Sequence, residues 1–131
     1  MDIAVPLPSI LNVEQGRFSV VLFSQPDCEF CAEVREHYLR PMLLAHPRQM
    51  TVAEANIELT APIRDWSGKD VPQRDFARLE GARFAPTVMF LDGQGKPVAD
   101  PIVGLSKDYF GAYLEQRLQI ARKAVGKGRI N

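Results

Sequence analysis

The chain has no excess charge of either sign, because its sixteen lysine and arginine residues balance sixteen aspartate and glutamate residues. It therefore lacks the basic surface field that favours nucleic acid or an anionic membrane, and we expect neither as a partner. Long apolar runs are also missing. The longest, FSVVLF and PTVMFL, are far too short to span a bilayer, so no membrane insertion is expected.

A secretory signal peptide is absent from the start of the chain. The segment MDIAVPLPSILNVEQGR has neither a basic beginning nor a continuous apolar block. The protein is then cytoplasmic, or its signal peptide was removed ahead of residue 1. Cysteine is scarce as well, and two cysteines in one C-x-x-C suit either compartment. At 131 residues the chain fits one domain, predicted over 1–131, with a core at about 17–124 and a frayed tail at 125–131.

Strand-forming residues occur in four segments. Residues 18–24, FSVVLFS, form an almost continuous apolar run, typical of a strand that is covered on both faces. Residues 50–58 and 86–92 predict two more strands. The turn DGQGK then leads to an edge strand at 97–104, whose two prolines are tolerated there because proline cannot donate to a central ladder.

Helices are predicted between and after these strands. Residues 28–45 place apolar side chains on one face, with a kink or a break at Pro41. A second helix is expected to begin at Asp70 in a capping-box arrangement and to bury Phe76 and Leu79. The last helix is expected to begin at Ser106 and to bury Tyr109, Phe110, Tyr113, Leu114, Leu118 and Ala121.

Two further segments complete the predicted organisation. Residues 8–15 predict a short helix capped by Ser9, and residues 59–70 predict a loop. The element order is then strand, helix, strand, helix, strand, strand, helix. This order predicts an α/β fold with a central mixed sheet of about four to five strands and helices on both faces.

The two cysteines, Cys28 and Cys31, lie where the first strand ends and a helix begins. The first turn of a helix has unpaired N–H groups and the positive end of the dipole, which stabilise a thiolate. The thiolate is the species that attacks a disulfide. We expect Cys28 to be the exposed nucleophile and Cys31 the buried residue that resolves the mixed disulfide. Asp27 and Glu29 add negative charge beside Cys28 and are expected to tune the acidity of its thiol.

Three other interpretations of the cysteine pair compete with redox chemistry. A zinc site would need two more ligands, and His37 and His46 do not have finger spacing, so no metal is expected. A structural disulfide is possible, but it would close a loop too short to constrain the unfolded chain much. Two inert core cysteines would not usually occupy a turn next to acidic residues. The pattern favours redox chemistry and leaves the last two interpretations open.

A second motif, FAPTVMFLDGQGK, places Pro86 directly before an apolar strand and a hairpin. Together with CEFC it resembles the thioredoxin superfamily, in which a C-x-x-C is followed by a cis-proline, a strand, a turn, an edge strand and a terminal helix. The resemblance covers roughly residues 17–124. It implies a cis bond between Ala85 and Pro86, and a substrate groove formed by Ala85, Pro86 and Thr87. The backbone of Ala85 would then pair with an extended substrate segment.

The resemblance implies a function. The protein would be a monomeric thiol-disulfide oxidoreductase, without metal or organic cofactor. It would act on protein or small-molecule thiols and disulfides and be reset by a redox partner protein. It departs from thioredoxin itself, because Asp27 replaces a Trp and Leu22 occupies the place of a buried aspartate that accepts a proton.

A narrower resemblance concerns the Cys-x-aromatic-Cys pattern and the segment DWSGKD. Both are similar to thioredoxin-like proteins of the bacterial periplasm, including those encoded with sulfur-oxidation systems. This resemblance implies a periplasmic protein. The alternative function is a binding or redox-sensing protein of the same fold that performs no turnover and recognises a partner through the loop around Trp66.

Overall fold

The computed structural model describes residues 5–11, 16–45, 48 and 50–127. In chain order its strands are β1 Phe18–Ser24, β2 Met50–Asn56, β3 Pro62–Arg64, β4 Asp70–Pro72, β5 Thr87–Asp92 and β6 Pro97–Val103. The helices are α1 Glu29–Val34, a π-helical turn Arg35–Leu39, α2 Arg40–Leu44, α3 Gln73–Glu80 and α4 Phe110–Lys127.

A four-stranded mixed sheet with the order β2-β1-β5-β6 forms the centre. β1 is parallel to β2 and antiparallel to β5, and β5 is antiparallel to β6. All seven residues of β1 are buried because it is a central strand with both faces covered, which explains its unbroken apolar sequence. β6 is an edge strand, so the missing N–H groups of its prolines do not interrupt hydrogen bonding between the central strands.

Two apolar layers sandwich the sheet. Val20 and Leu22 face the side covered by α1 and α4, where Leu114 packs against them. Val21 and Phe23 face the opposite side, where Phe76 of α3 stacks on Phe23 with ring centroids 5.8 Å apart. Successive side chains of one strand thus fill different layers. Helices cover both faces, and the predicted fold class is confirmed.

The helix that follows β1 does not break at Pro41. Instead, the preceding segment Arg35–Leu39 forms a π-helical turn, in which the amide of Arg40 donates to the carbonyl of Arg35, five residues back. Pro41 has no N–H, so the carbonyl four residues before it lacks its usual donor. The distortion therefore falls one turn earlier than predicted, and the chain remains helical beyond the proline.

The segment before α3, predicted to be a loop, contains two short strands. β3 and β4 pair there as a small antiparallel hairpin. Asp70 lies in that hairpin, 3.1 Å from Arg64, and so does not cap a helix; α3 begins at Gln73 instead. Leu79 is exposed, contrary to prediction, because Phe76 lies on the face of α3 that packs against the sheet.

The predicted helix at residues 8–15 is not formed over its described part. The amide of Leu11 donates to the carbonyl of Arg64, and Ile10 forms a parallel bridge with the same residue. These contacts hold the segment extended, because they take backbone groups that a helix would use internally. Residues 12–15 lie outside the described residues.

The last helix begins at Phe110 and not at Ser106, whose carbonyl accepts a hydrogen bond from the amide of Phe110. Tyr109 and Tyr113, predicted to be buried, are exposed because Phe110 and Leu114 form the face that packs on the sheet. The helix continues to residue 127, past the predicted start of the tail, while residues 128–131 lie outside the described part. Among the helices described, none is long and apolar enough to cross a membrane.

Gly95, in the turn between β5 and β6, contacts the indole of Trp66. A Cβ added there would lie 2.6 Å from the ring, and the φ of +80° is one that other residues rarely adopt. Trp66 in turn packs on Phe76, with centroids 5.9 Å apart, so its ring cannot yield freely. We expect Gly95→Ala to lower the free energy of unfolding by about 2–4 kcal/mol, because it combines backbone strain with overpacking.

Gly68→Ala is the matched control, because Gly68 has a φ of +82° but nothing within 4 Å of the added Cβ. It should cost about 1–2 kcal/mol, the contribution of the backbone alone. Urea unfolding of both variants measures the difference. Equal losses would show that Trp66 moves aside without cost.

Candidate functional site

Cys28 and Cys31 form a disulfide at the start of α1, with an S–S distance of 2.17 Å. Cys28 is the N-cap residue, and its sulfur accepts a hydrogen bond from the amide of Cys31 at 3.1 Å. Cys28 is partly exposed, whereas Cys31 is 0% exposed. Asp27 turns the chain into the helix with a φ of +55°, a conformation that Asp tolerates better than most residues. Cys28 is therefore the more exposed of the two cysteines, as the sequence predicts.

The peptide bond between Ala85 and Pro86 is cis, as the resemblance implies. Thr87 pairs with Phe23 near the C-terminal end of β1, and from that end the chain continues to Cys28. Pro86 therefore lies at the same end of the sheet as the cysteine pair. The two motifs, far apart in sequence, therefore lie at the same end of the sheet.

Hydrogen bonds hold the loop around this proline. The carbonyl of Pro86 accepts from the amide of Gly104 at 2.7 Å, and the hydroxyl of Thr87 donates to the carbonyl of Phe84 at 2.7 Å. Among the described residues, none forms a backbone hydrogen bond with Ala85. Its amide and carbonyl are thus available to an added strand.

A buried ion pair, absent from the sequence analysis, lies next to this site. Glu54 of β2 is 3% exposed and accepts hydrogen bonds from Nε and Nη2 of Arg35 at 2.8 and 2.7 Å. It also accepts from the amide of Leu7 at 2.9 Å and from the hydroxyl of Ser24 at 2.6 Å. The hydrogen bonds to Glu54 raise the pKa of Arg35, although its burial acts in the opposite direction.

These contacts describe what Glu54 can do. A carboxylate offers about four acceptor positions, and the four donors occupy them. Glu54 therefore acts as a link between the N-terminal segment, β1 and the helix, and not as a free proton acceptor. Leu22, which occupies the place of the buried aspartate of thioredoxin, is the register partner of Glu54 on the neighbouring strand and lies in the apolar core. The sequence does contain one signal for this buried acid, because Glu54 falls on the same face of β2 as the buried residues Met50 and Val52.

A cavity of about 650 Å³ opens beside Cys28 on the β2 side. Because the strand order is β2-β1-β5, this cavity and the cis-proline lie on opposite sides of the turn that carries the disulfide. Asp27 and Glu29 are exposed at its Cys28 end. The other walls include Arg35, Glu54, Asn56, Leu59 and Gln73.

The remaining sequence candidates lie elsewhere. His37 is exposed and pairs with Glu33 at 3.9 Å. Within the part of the chain that the structure describes, no group of three or more His, Cys, Asp or Glu side chains could hold a metal ion.

A C-x-x-C disulfide at a helix start, at the same end of the sheet as a cis-proline, defines a redox-active protein of the thioredoxin-like class. The sequence pattern of the thioredoxin-like domain family matches residues 10–118, and the chain belongs to that family. Its membership and its cysteine pair support thiol-disulfide oxidoreductase activity at this general level.

Two solved structures are similar in fold. Thioredoxin O2 from Arabidopsis thaliana, in its oxidized state, is 18% identical over 77% of this chain and 75% of that chain, with a TM-score of 0.54. Thioredoxin from Fasciola hepatica is 17% identical over 79% of this chain and 83% of that chain, with a TM-score of 0.55. At these identities the likeness concerns the fold alone. No curated protein matches the sequence.

Proposed function

We propose that the protein exchanges electrons with protein or small-molecule disulfides through Cys28 and Cys31. The observation that carries this proposal is the asymmetry of the pair, with Cys28 partly exposed at the helix start and Cys31 fully buried one turn later. In the reduced protein the helix N–H groups stabilise a thiolate at Cys28, which attacks a substrate disulfide. Cys31 then attacks the mixed disulfide and releases the reduced substrate. No metal or organic cofactor takes part.

The groove for protein substrates is formed by Ala85, Pro86 and Thr87. The unpaired backbone of Ala85 supports pairing with an extended segment of the substrate, which would place its disulfide over Cys28. Phe30, inside the C-x-x-C, is 56% exposed and offers an apolar contact beside the disulfide.

We further propose that the protein is a periplasmic monomer, reset by a separate redox partner protein and associated with bacterial sulfur oxidation. The Cys-x-aromatic-Cys pattern supports this assignment. The cytoplasm is the alternative compartment.

The rival function, partner recognition through the Trp66 loop without turnover, has less support. Trp66 is half-buried and packs on Phe76 and Gly95. A ring held in this way serves as a cover for the core and presents little surface to a partner.

Reduction of insulin tests the proposed function. With dithiothreitol as the electron source, the wild-type protein should accelerate insulin precipitation well above the rate with dithiothreitol alone. Cys28→Ser should fall to that background rate, whereas Cys31→Ser, reduced and then freed of dithiothreitol before insulin is added, should trap a mixed disulfide that mass spectrometry detects. A wild-type protein no faster than dithiothreitol alone would refute the proposal.

The redox potential of the cysteine pair is expected to be reducing. Asp27 and Glu29 disfavour a thiolate at Cys28, and the charge of Arg35 is neutralised by Glu54. We expect a value nearer the ~−270 mV of thioredoxin than the ~−120 mV of the strongest oxidant in this class.

Equilibration with glutathione measures this potential. The double variant Asp27→Asn/Glu29→Gln should be more oxidising than the wild type, because its reduced form is better stabilised. Asp100→Asn is the control, since it removes one exposed charge on β6, across the sheet from the cavity. A wild-type potential at the oxidising end would contradict the charge argument.

A further inference from the structure

The cavity beside Cys28 contains hydrogen-bond donors that no described residue uses. Gln73, 8% exposed, accepts the amide of Asn56 at Oε1, 2.7 Å away, which settles the orientation of its side chain and leaves Nε2 without an acceptor. Arg35, 7% exposed, binds Glu54 through Nε and Nη2 and leaves Nη1 unused. Asn56 uses Oδ1 to accept from the amide of Glu58, so its Nδ2 is also unpaired.

These donors face the cavity. Among the described residues, no fully buried side-chain nitrogen or oxygen lacks a partner. The unpaired nitrogens of Gln73 and Arg35 must therefore reach accessible space, and the cavity is the space that both residues line. Accessible donors on largely buried side chains bind a ligand group that offers acceptors.

The net charge differs between the interior of the cavity and its mouth. In the interior, the positive charge of Arg35 is balanced by Glu54, so the interior is neutral and rich in donors. At the mouth, Asp27 and Glu29 are exposed and have no salt bridge among the described residues. A purely anionic ligand would meet their repulsion. A ligand that combines an acceptor group with a cationic group satisfies both regions.

We propose that this cavity binds the α-amino-acid group of a small disulfide such as cystine while Cys28 attacks one of its sulfurs. The carboxylate accepts from Nη1 of Arg35 and Nε2 of Gln73, and the ammonium group faces Asp27 and Glu29. The inference rests on the proposed function and names a substrate class for it. A volume of about 650 Å³ is within the range of small-molecule sites, ~300–1,000 Å³.

The helix places the nucleophile and the donors in the same cavity. Cys28, Ala32 and Arg35 are spaced i, i+4 and i+7, so they share one face, and all three line the cavity. The Cα of Arg35 lies about 10 Å along the axis from that of Cys28, and helical side chains lean back toward the N-terminus. The guanidinium is thereby brought closer to the sulfur than the backbone distance alone indicates.

The reaction balances with the small disulfide as oxidant. The Cys28 thiolate attacks one sulfur of R–S–S–R, forms the Cys28–S–S–R bond and releases R–S⁻, which takes a proton. Cys31, after losing its proton, attacks the sulfur of Cys28 and releases the second R–S⁻, which is protonated in turn. Two protein thiols are oxidised to the Cys28–Cys31 disulfide, and one R–S–S–R is reduced to two R–SH.

Four disulfides test the proposal: cystine, cystamine, 3,3′-dithiodipropionate and bis(2-hydroxyethyl) disulfide. The rate constant for oxidation of the reduced protein is measured by acid quench, alkylation and mass spectrometry. Each value is divided by the rate constant of the same disulfide with free dithiothreitol, which removes differences in intrinsic reactivity. On this scale cystine should exceed each of the other three by about tenfold, the contribution of one charge-assisted hydrogen bond.

Gln73→Glu is the decisive variant, because Glu can still accept the amide of Asn56 while it replaces the donor with an acceptor. It should lower the ratio of cystine to bis(2-hydroxyethyl) disulfide by about tenfold. Gln94→Glu is the matched control, since it adds the same charge in the turn after β5, at the opposite end of the sheet, and should leave the ratio unchanged. If Gln73→Glu fails to fold, Asn56→Asp removes another cavity donor and keeps the acceptor for Glu58.

The outcomes separate this inference from the proposed function. It is overturned if cystine shows no preference, if cystamine or dithiodipropionate matches cystine, or if Gln73→Glu and Gln94→Glu behave alike. Normal insulin reduction together with any of these results leaves the proposed function standing. Failure of the reduced protein to exchange with any disulfide, insulin included, would refute the proposed function itself.

Discussion

Glu54→Leu should lower the free energy of unfolding by about 3–5 kcal/mol, because it leaves the charge of Arg35 buried without a partner. The amide of Leu7 and the hydroxyl of Ser24 would also lose their acceptor. Urea unfolding monitored by circular dichroism measures the loss. The effect is large because three chain segments meet at this one carboxylate.

A double variant and a surface pair make the test specific. Arg35→Met/Glu54→Leu should recover the part of the loss that comes from the unpaired charge of Arg35, while the Leu7 amide and the Ser24 hydroxyl stay without their acceptor. Glu36→Gln is the control, because it breaks a pair with Arg40 at 2.8 Å on the surface and should cost less than about 1 kcal/mol. A double variant as unstable as Glu54→Leu would show that the losses come from packing and from the two unpaired donors, and not from the unpaired charge.

Iodoacetamide should label Cys28 of the reduced protein at least about 100-fold faster than Cys31. Cys31 is 0% exposed, so its reaction requires local opening of α1, and even about 2.7 kcal/mol of opening free energy gives this ratio. Peptide mass mapping after short labelling times measures both rates. In urea, where both thiols are exposed, the two rates should differ by a few-fold at most. Equal labelling in the native protein, or faster labelling of Cys31, would overturn the assignment of Cys28 as the nucleophile.

The position of Cys28 gives the site two different sides. The strand order places the cis-proline loop on the β5 side of the disulfide and the donor-lined cavity on the β2 side. The first side offers backbone groups, which suit an extended protein substrate. The second offers side-chain donors in a partly open cavity, which suits a small molecule. Variants of Gln73 and of the Ala85 loop can therefore separate the two kinds of substrate.

Local chemistry was sufficient for much of the fold. The unbroken apolar run at 18–24 indicated a central strand, and β1 is one, because burial on both faces permits no alternation. The cysteine spacing at a strand-to-helix boundary likewise predicted which sulfur is exposed, since one helical turn carries the second cysteine under the surface. Pro86 before an apolar strand was enough to anticipate the cis bond through a family resemblance.

Local signals failed where a distant residue competed for the same group. Asp70 has the right spacing to cap a helix, yet it pairs with Arg64 across a hairpin that sequence periodicity cannot show. Leu79 matched the apolar period of α3, but the helix packs on the sheet through Phe76 and leaves Leu79 exposed. Both outcomes depend on which surface is opposite, and the local sequence contains no record of that surface.

The amino-acid sequence by itself determined the class of the fold, the disulfide and the helix start that distinguishes Cys28 from Cys31, because these depend on residues within a few positions of each other. Tertiary structure decided what surrounds that disulfide. Arg35, Glu54 and Gln73 come from a helix, an edge strand and a second helix, and they form one cavity wall because the parallel pairing of β1 and β2 brings those elements together. Their spacing in sequence follows no motif, since hydrogen bonds between separate elements and not chain periodicity define the cavity.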